Sequence, residues 1–141
     1  MSFTSFNFNK HISEGLKAQG YVAPTPIQSK AIRPILDGRD LLGLAQTGTG
    51  KTAAFVLPIL QRLSDRPESN SVQSLIITPT RELAEQIYTY IGNFSKRLNL
   101  NSCVVYGGVS KSAQIKKLRG KVDIVVACPC LLYTSDAADD R

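Results

Sequence analysis

The sequence is poor in thiols and imidazole, has no long apolar run, and over one long stretch carries no acidic residue. Cysteine occurs three times, at Cys103, Cys128 and Cys130, and histidine once, at His11. Three cysteines without paired C-x2–4-C spacing do not build a structural zinc site, and an odd count does not close a secreted disulfide framework. Cys103 and Cys128 lie within or flank apolar runs, which suits buried small hydrophobes. His11 has no carboxylate cluster beside it and reads as a surface residue. Nothing approaches the ~20 consecutive apolar residues of a membrane span. The start, Met1-Ser2-Phe3-Thr4-Ser5-Phe6, lacks the basic and apolar regions of a secretory signal. A reducing, cytoplasmic setting with no membrane partner is the resulting expectation. From Gln86 to Val122 there is no Asp or Glu, while Lys96, Arg97, Lys111, Lys116, Lys117, Arg119 and Lys121 lie there. With a formal charge of +6, the chain favours an anionic partner, although a solvated basic surface accounts for the same charge.

What is present is ordinary in bulk: 141 residues, 43% hydrophobic and 20% charged, enough for one domain with a core that needs neither disulfides nor metal. Four short apolar runs, at 41–45, 75–78, 103–106 and 124–127, are continuous rather than alternating. That pattern predicts strands buried on both faces of a parallel sheet. Helical periodicity fills the segments between them: Lys51 to Leu63, where Pro58 should kink the helix; Arg81 to Leu98, with apolar residues at steps of three and four; and a short basic segment, Ser112 to Arg119. Two further helices, Ile12 to Gln19 and Ile27 to Leu36, precede the first run, the second entered through Pro24-Thr25-Pro26. Alternating strands and helices predict an α/β fold with a mostly parallel β-sheet flanked by helices. Residues 66–71 read as a polar surface loop.

The most informative segment is Ala45-Gln46-Thr47-Gly48-Thr49-Gly50-Lys51-Thr52, placed after a predicted strand and before a predicted helix. Glycines let such a loop curl its N–H groups toward phosphate oxygens, and the positive end of the helix adds to that field. Lys51 would reach the β/γ-phosphates and the Thr52 hydroxyl would ligate Mg²⁺, so these two are the candidate catalytic residues and Thr52 the candidate metal ligand. Ala45 stands where the strict pattern has glycine.

A series of further motifs surrounds this loop. Gly20-Tyr21-x-x-Pro24-Thr25-Pro26-Ile27-Gln28 lies upstream, and Pro79-Thr80-Arg81-Glu82-Leu83 follows the second apolar run. Gly107-Gly108 follows the third, with Gln114, Leu118 and Asp123-Ile124-Val125-Val126-Ala127 beyond it. In this order and spacing, residues 1 to 129 resemble the DEAD-box ATP-dependent RNA helicases of superfamily 2, with a start most similar to the compact, RhlE-like bacterial branch. The resemblance implies a RecA-like P-loop domain, C-terminally truncated, with Ala45 the expected variant of the loop. It implies a Q-motif region with N-terminal helices over 1–37 and a partial helicase ATP-binding domain over 38–129. ATP and Mg are the implied cofactors, held by Phe3 stacking on adenine, Gln28 reading the adenine edge, Thr25 of the same motif, and Ala45, Gln46, Thr47, Gly48, Thr49, Gly50, Lys51 and Thr52 of the loop. RNA is the implied partner, gripped without sequence preference along its sugar-phosphate backbone by Pro79, Thr80, Arg81, Gly107 and Gly108. Taken as residues alone, Phe3 also fits a core aromatic, Arg81 a helix residue paired with Glu85, and Gly107-Gly108 a tight turn.

The resemblance ends where the family has Thr-Pro-Gly-Arg and this chain has Cys128-Pro129-Cys130-Leu131. Asp136-Ala137-Ala138-Asp139 lies too close to Pro129, with no preceding strand, to serve as the family's Asp-Glu-Ala-Asp element. Residues 130–140 instead resemble the translation of a transposase adapter used in sequencing libraries, which implies a non-native tail over 130–141. The reading that follows is the N-terminal part of an ATP-dependent RNA helicase, an ATP hydrolase as a whole and catalytically incompetent as this fragment. Another adenine-nucleotide P-loop enzyme, or a natural non-catalytic nucleotide- or RNA-binding module, are the alternatives.

Overall fold

A computed structural model of the chain describes residues 2–46, 48, 50–107 and 111–129, with the backbone alone at 111, 113, 115 and 117. Thr47, Thr49, Gly108 and the tail over 130–141 therefore lie outside the described residues. The chain divides into two compact units, Met1–Pro67 and Glu68–Arg141, and the division falls in the polar loop expected over 66–71.

The first unit is helical. A 3₁₀ turn, Phe3–Phe6, leads into α1, Lys10–Ala18, then α2, Pro26–Leu36, and α3, Lys51–Ser64. Side chains start the first two helices where sequence chemistry places them. Asn9 Oδ1 accepts the Ile12 N–H at 2.9 Å, and Thr25 with Gln28 forms a reciprocal capping box at α2. The apolar stripe of α3, including Val56, Leu57 and Leu60, is fully buried and packs with Ala31 and Ile32 of α2 in the same core. Pro58 lies buried within α3, and the helix continues past it. At the other end of the unit, the Asn9 N–H donates to Gln61 Oε1 at 2.7 Å, tying the start of α1 to α3.

The second unit is α/β. Its sheet has three parallel strands, β1 (Ser74–Ile77), β2 (Ser102–Tyr106) and β3 (Ile124–Cys128), in the order β1-β3-β2. Helix α4, Arg81–Leu98, joins β1 to β2 and packs on β2 and β3; α5, Lys111–Arg119, joins β2 to β3. The central position of β3 explains why Ile124, Val125 and Val126 are all buried, as a run covered on both faces requires. Strand β1 lies at an edge, and there Leu75 and Ile77 remain 60% and 66% exposed while Ile76 between them is buried. Cys103 and Cys128 are buried in this sheet as small apolar residues.

One expected strand is not formed. Residues 41–45 have no ladder, and Leu42 and Leu44 are 88% and 86% exposed. A strand exists only through hydrogen bonds to a neighbour, and β1, β2 and β3 pair with one another, leaving this apolar run without a partner among the described strands. No helix among the described residues is long and apolar enough to cross a membrane.

Candidate nucleotide and nucleic-acid sites

In the first unit the candidate site forms where α2 and α3 begin. Gly50 is the residue before α3 and has φ 86° and ψ 23°, a left-handed conformation that costs an L side chain about 1–2 kcal/mol. No side chain caps α3, in contrast to α1, α2 and α4, whose starts are capped by Asn9, Thr25 and Thr80. The first N–H groups of a helix have no intrahelical acceptor, so the start of α3 can take an anion. Lys51 and Thr52 are its first two residues, Lys51 exposed and Thr52 half-buried. Gly48, also at positive φ, is exposed on the same loop.

Gln28 ties this loop to the capping box. Its Oε1 accepts the Thr25 N–H at 2.9 Å, and its Nε2 donates to the Gly50 carbonyl at 3.1 Å. The same carbonyl accepts the Ala54 N–H at 3.2 Å, so both its lone pairs are engaged. Gln28 is 3% exposed, a burial that a polar amide tolerates because both of its ends are hydrogen-bonded. A Cβ on Gly50 would come within 3.0 Å of Thr25 Oγ1 and closer still to Gln28 Nε2. The structure thus brings Thr25, Gln28, Gly50, Lys51 and Thr52 together, with the Gln28 amide bonded to the backbones of Thr25 and Gly50. Phe3 is elsewhere in the unit's core: it is 7% exposed, with its ring 6.2 Å from that of Phe6 and 5.6 Å from that of Tyr21. Glycine alone fits at position 50, and the helix start after it has no side-chain cap, which suits a nucleoside phosphate with its magnesium ion.

The second unit gathers its candidates at the C-terminal edge of the parallel strands, where α/β sheets take their ligands. Ile77 is in register with Ala127, and Tyr106 with Cys128, so the segments after β1 and β2 emerge at the same edge on either side of β3. Thr78, buried, donates its N–H to the Ala127 carbonyl at 2.8 Å and its hydroxyl to the Thr80 carbonyl at 3.1 Å. Thr80 Oγ1 then accepts the Leu83 N–H at 3.1 Å and starts α4. Replacing Thr80 with alanine is expected to lower stability by about 1 kcal/mol in urea unfolding, with the loss reported by α4 amide exchange. Pro79 and Thr80 are exposed at this edge.

Arg81, the first residue of α4, makes no ion pair with Glu85. Its guanidinium lies over the Tyr106 ring instead, 4.8 Å from the centroid. Tyr106 is held from behind: its N–H donates to Gln114 Oε1 at 2.6 Å, and the next residue, Gly107, donates to the Cys128 carbonyl at 2.9 Å. Arg81, Glu82, Glu85, Gln86 and Tyr106 line a cleft of about 460 Å³. By sequence pattern Tyr106 is only the last residue of an apolar strand. The available signal was an aromatic residue directly before Gly107 at a strand's end.

Comparison with known proteins is consistent with this geometry. The model of the DEAD/DEAH box helicase family matches residues 25–137, a span that runs past residue 130. The chain is 46% identical over 128 residues to the ATP-dependent RNA helicase DBP10 of Candida albicans, covering 91% of this chain and 14% of that one. It is 44% identical over 131 residues to the DEAD-box ATP-dependent RNA helicase 24 of Oryza sativa, covering 91% and 17%. Among solved structures, a hypothetical ATP-dependent RNA helicase from Sulfolobus tokodaii superposes with a TM-score of 0.76 at 36% identity, covering 93% of this chain and 37% of that one. The chain thus spans under a fifth of the length of the two curated relatives.

Proposed function

The chain belongs to the DEAD/DEAH box helicase family, and from that premise we propose that its first unit binds ATP with Mg and its second grips single-stranded RNA. The observation that carries the nucleotide reading is the bond from Gln28 Nε2 to the carbonyl of left-handed Gly50, which fixes the turn into an uncapped helix start. In this proposal the backbone of residues 45–50 and the N-terminus of α3 surround the phosphates. Lys51 supplies a mobile point charge, and the Thr52 hydroxyl is the ligand for Mg. The region 1–37 contributes Thr25 and Gln28 to holding the loop, while 38–129 carries the loop and the RNA-facing edge. Pro79, Thr80, Arg81, Gly107 and Gly108 contact sugar and phosphate, so binding carries little sequence preference.

The curated relatives named above are ATP-dependent RNA helicases. For the whole protein we propose the same work: ATP-driven strand separation, in a cytoplasmic setting. The curated relatives named above are eukaryotic and give the RhlE-like bacterial branch no support. The 141-residue chain is proposed to bind nucleotide without turning it over.

Titration of the chain with fluorescent ADP and Mg tests the nucleotide reading. Lys51→Ala is expected to weaken binding about tenfold or more, as loss of a charge-assisted hydrogen bond implies. With Phe3 and Gln28 proposed as the adenine contacts, adenine nucleotide is expected to outcompete guanine nucleotide. Equal competition by the two would overturn the assignment of ATP. RNA-stimulated phosphate release above the level of Lys51→Ala would overturn the proposal that this chain is inert.

A further inference from the structure

Resting on the RNA reading above, we infer that Tyr106 is a positioning residue: its ring holds the Arg81 guanidinium ready for a phosphate at the C-terminal edge of the sheet. Arg81 sits at the start of α4 with Glu85 one turn on, and Glu82 and Glu85 line the same cleft. An arginine in that position has an i,i+4 carboxylate within reach. Pairing with Glu85 would neutralise it and use up its donors. Held over the ring of Tyr106, the guanidinium is not neutralised by a carboxylate, and its charge and N–H donors stay available to phosphate oxygens. The ring therefore decides which of two roles Arg81 plays.

The mount of the ring supports this role. Tyr106 ends β2, its backbone N–H is fixed by Gln114 from α5, and the following N–H of Gly107 is fixed by Cys128 of β3. A shelf anchored from both sides restricts a long, flexible side chain before ligand arrives, which is how preorganisation raises affinity. Without that restriction, the cleft presents two carboxylates and an untethered cation to an anionic strand.

The test measures binding of a fluorescein-labelled oligouridylate to the full 141-residue chain by anisotropy, at several salt concentrations. Tyr106→Leu is expected to weaken binding about three- to tenfold, while Tyr106→Phe, which keeps the ring, retains it. Arg81→Gln is expected to weaken binding and make its salt dependence shallower by about one contact. In the Arg81→Gln background, Tyr106→Leu is expected to add nothing, because the ring acts through the guanidinium. Equal losses in both backgrounds, or a loss in Tyr106→Phe matching that in Tyr106→Leu, would overturn the inference. If Arg81→Gln weakens binding and Tyr106→Leu does not, the inference falls and the RNA reading stands. If the chain does not bind the oligouridylate, or Arg81→Gln binds as well as the parent, both fall. The Arg81 Nε proton resonance gives a readout independent of RNA and of any folding loss in the leucine variant. It is expected to be shifted upfield by the ring in the parent and in Tyr106→Phe, and an unshifted parent resonance would overturn the stack itself.

Discussion

Replacing Gly50 with alanine is expected to abolish nucleotide binding and to destabilise the first unit by about 2–5 kcal/mol. Two costs combine. A side chain at φ 86° carries about 1–2 kcal/mol of left-handed strain. The added Cβ also meets Gln28 Nε2 and Thr25 Oγ1. The amide must then leave the Gly50 carbonyl, and an unsatisfied buried group costs about 1–3 kcal/mol. Gly48→Ala is the internal control. That residue also has positive φ, at 82°, but nothing lies within 4 Å of the Cβ it would gain, so only the strain of about 1–2 kcal/mol remains. Urea unfolding followed by circular dichroism separates the two variants, and titration with fluorescent ADP and Mg measures the site. Equal stability losses at the two glycines would show that the contact with Gln28 is not part of the cradle.

The helices were legible because each announces itself locally. Arg81 to Leu98 carries its apolar residues at helical spacing, Thr80 precedes it as a cap, and α4 spans the expected residues. The helix expected from Ile27 starts one residue earlier, at Pro26, where a missing N–H is tolerated. The strand expected over 41–45 failed for the opposite reason. Its apolar run satisfies a local pattern, but a strand requires a ladder partner elsewhere in the chain, and composition does not supply one. The same distinction divides the candidate sites. The residue types of the phosphate loop and of the Pro79–Arg81 segment were readable as motifs. Their partners were not: Gln28 finds Gly50 across 22 residues, and Arg81 finds Tyr106 across a helix and a strand. For Gln28 and Arg81 alike, sequence spacing named the residue, while the fold alone determined what its side chain touches.

Gln28→Glu is expected to unfold the nucleotide site in a pH-dependent way, which separates the hydrogen-bond role of Gln28 from simple space filling. In glutamine, Oε1 accepts from Thr25 and Nε2 donates to Gly50. An ionised glutamate keeps the first bond and reverses the second, placing a negative oxygen against a carbonyl at a position only 3% exposed. Burial and the facing carbonyl both disfavour the charged form, so the folded-state pKa of the new carboxyl lies above its unfolded value of about 4.3. The sign follows from linkage. Between those two values the folded chain binds more protons than the unfolded one, so stability falls as pH rises. Below about pH 4.3 the acid is protonated in both states, donates its O–H to Gly50, and the deficit against the parent is smallest. At pH 7 the deficit is expected to reach about 2–4 kcal/mol, with nucleotide binding lost. Gln28→Ala loses both hydrogen bonds at every pH, so its deficit is expected to be flat. Urea unfolding of the parent and both variants between pH 4 and pH 8 measures this difference. A deficit for Gln28→Glu that does not grow with pH would mean that its carboxyl is not held against the Gly50 carbonyl, and that the loop is positioned by packing instead.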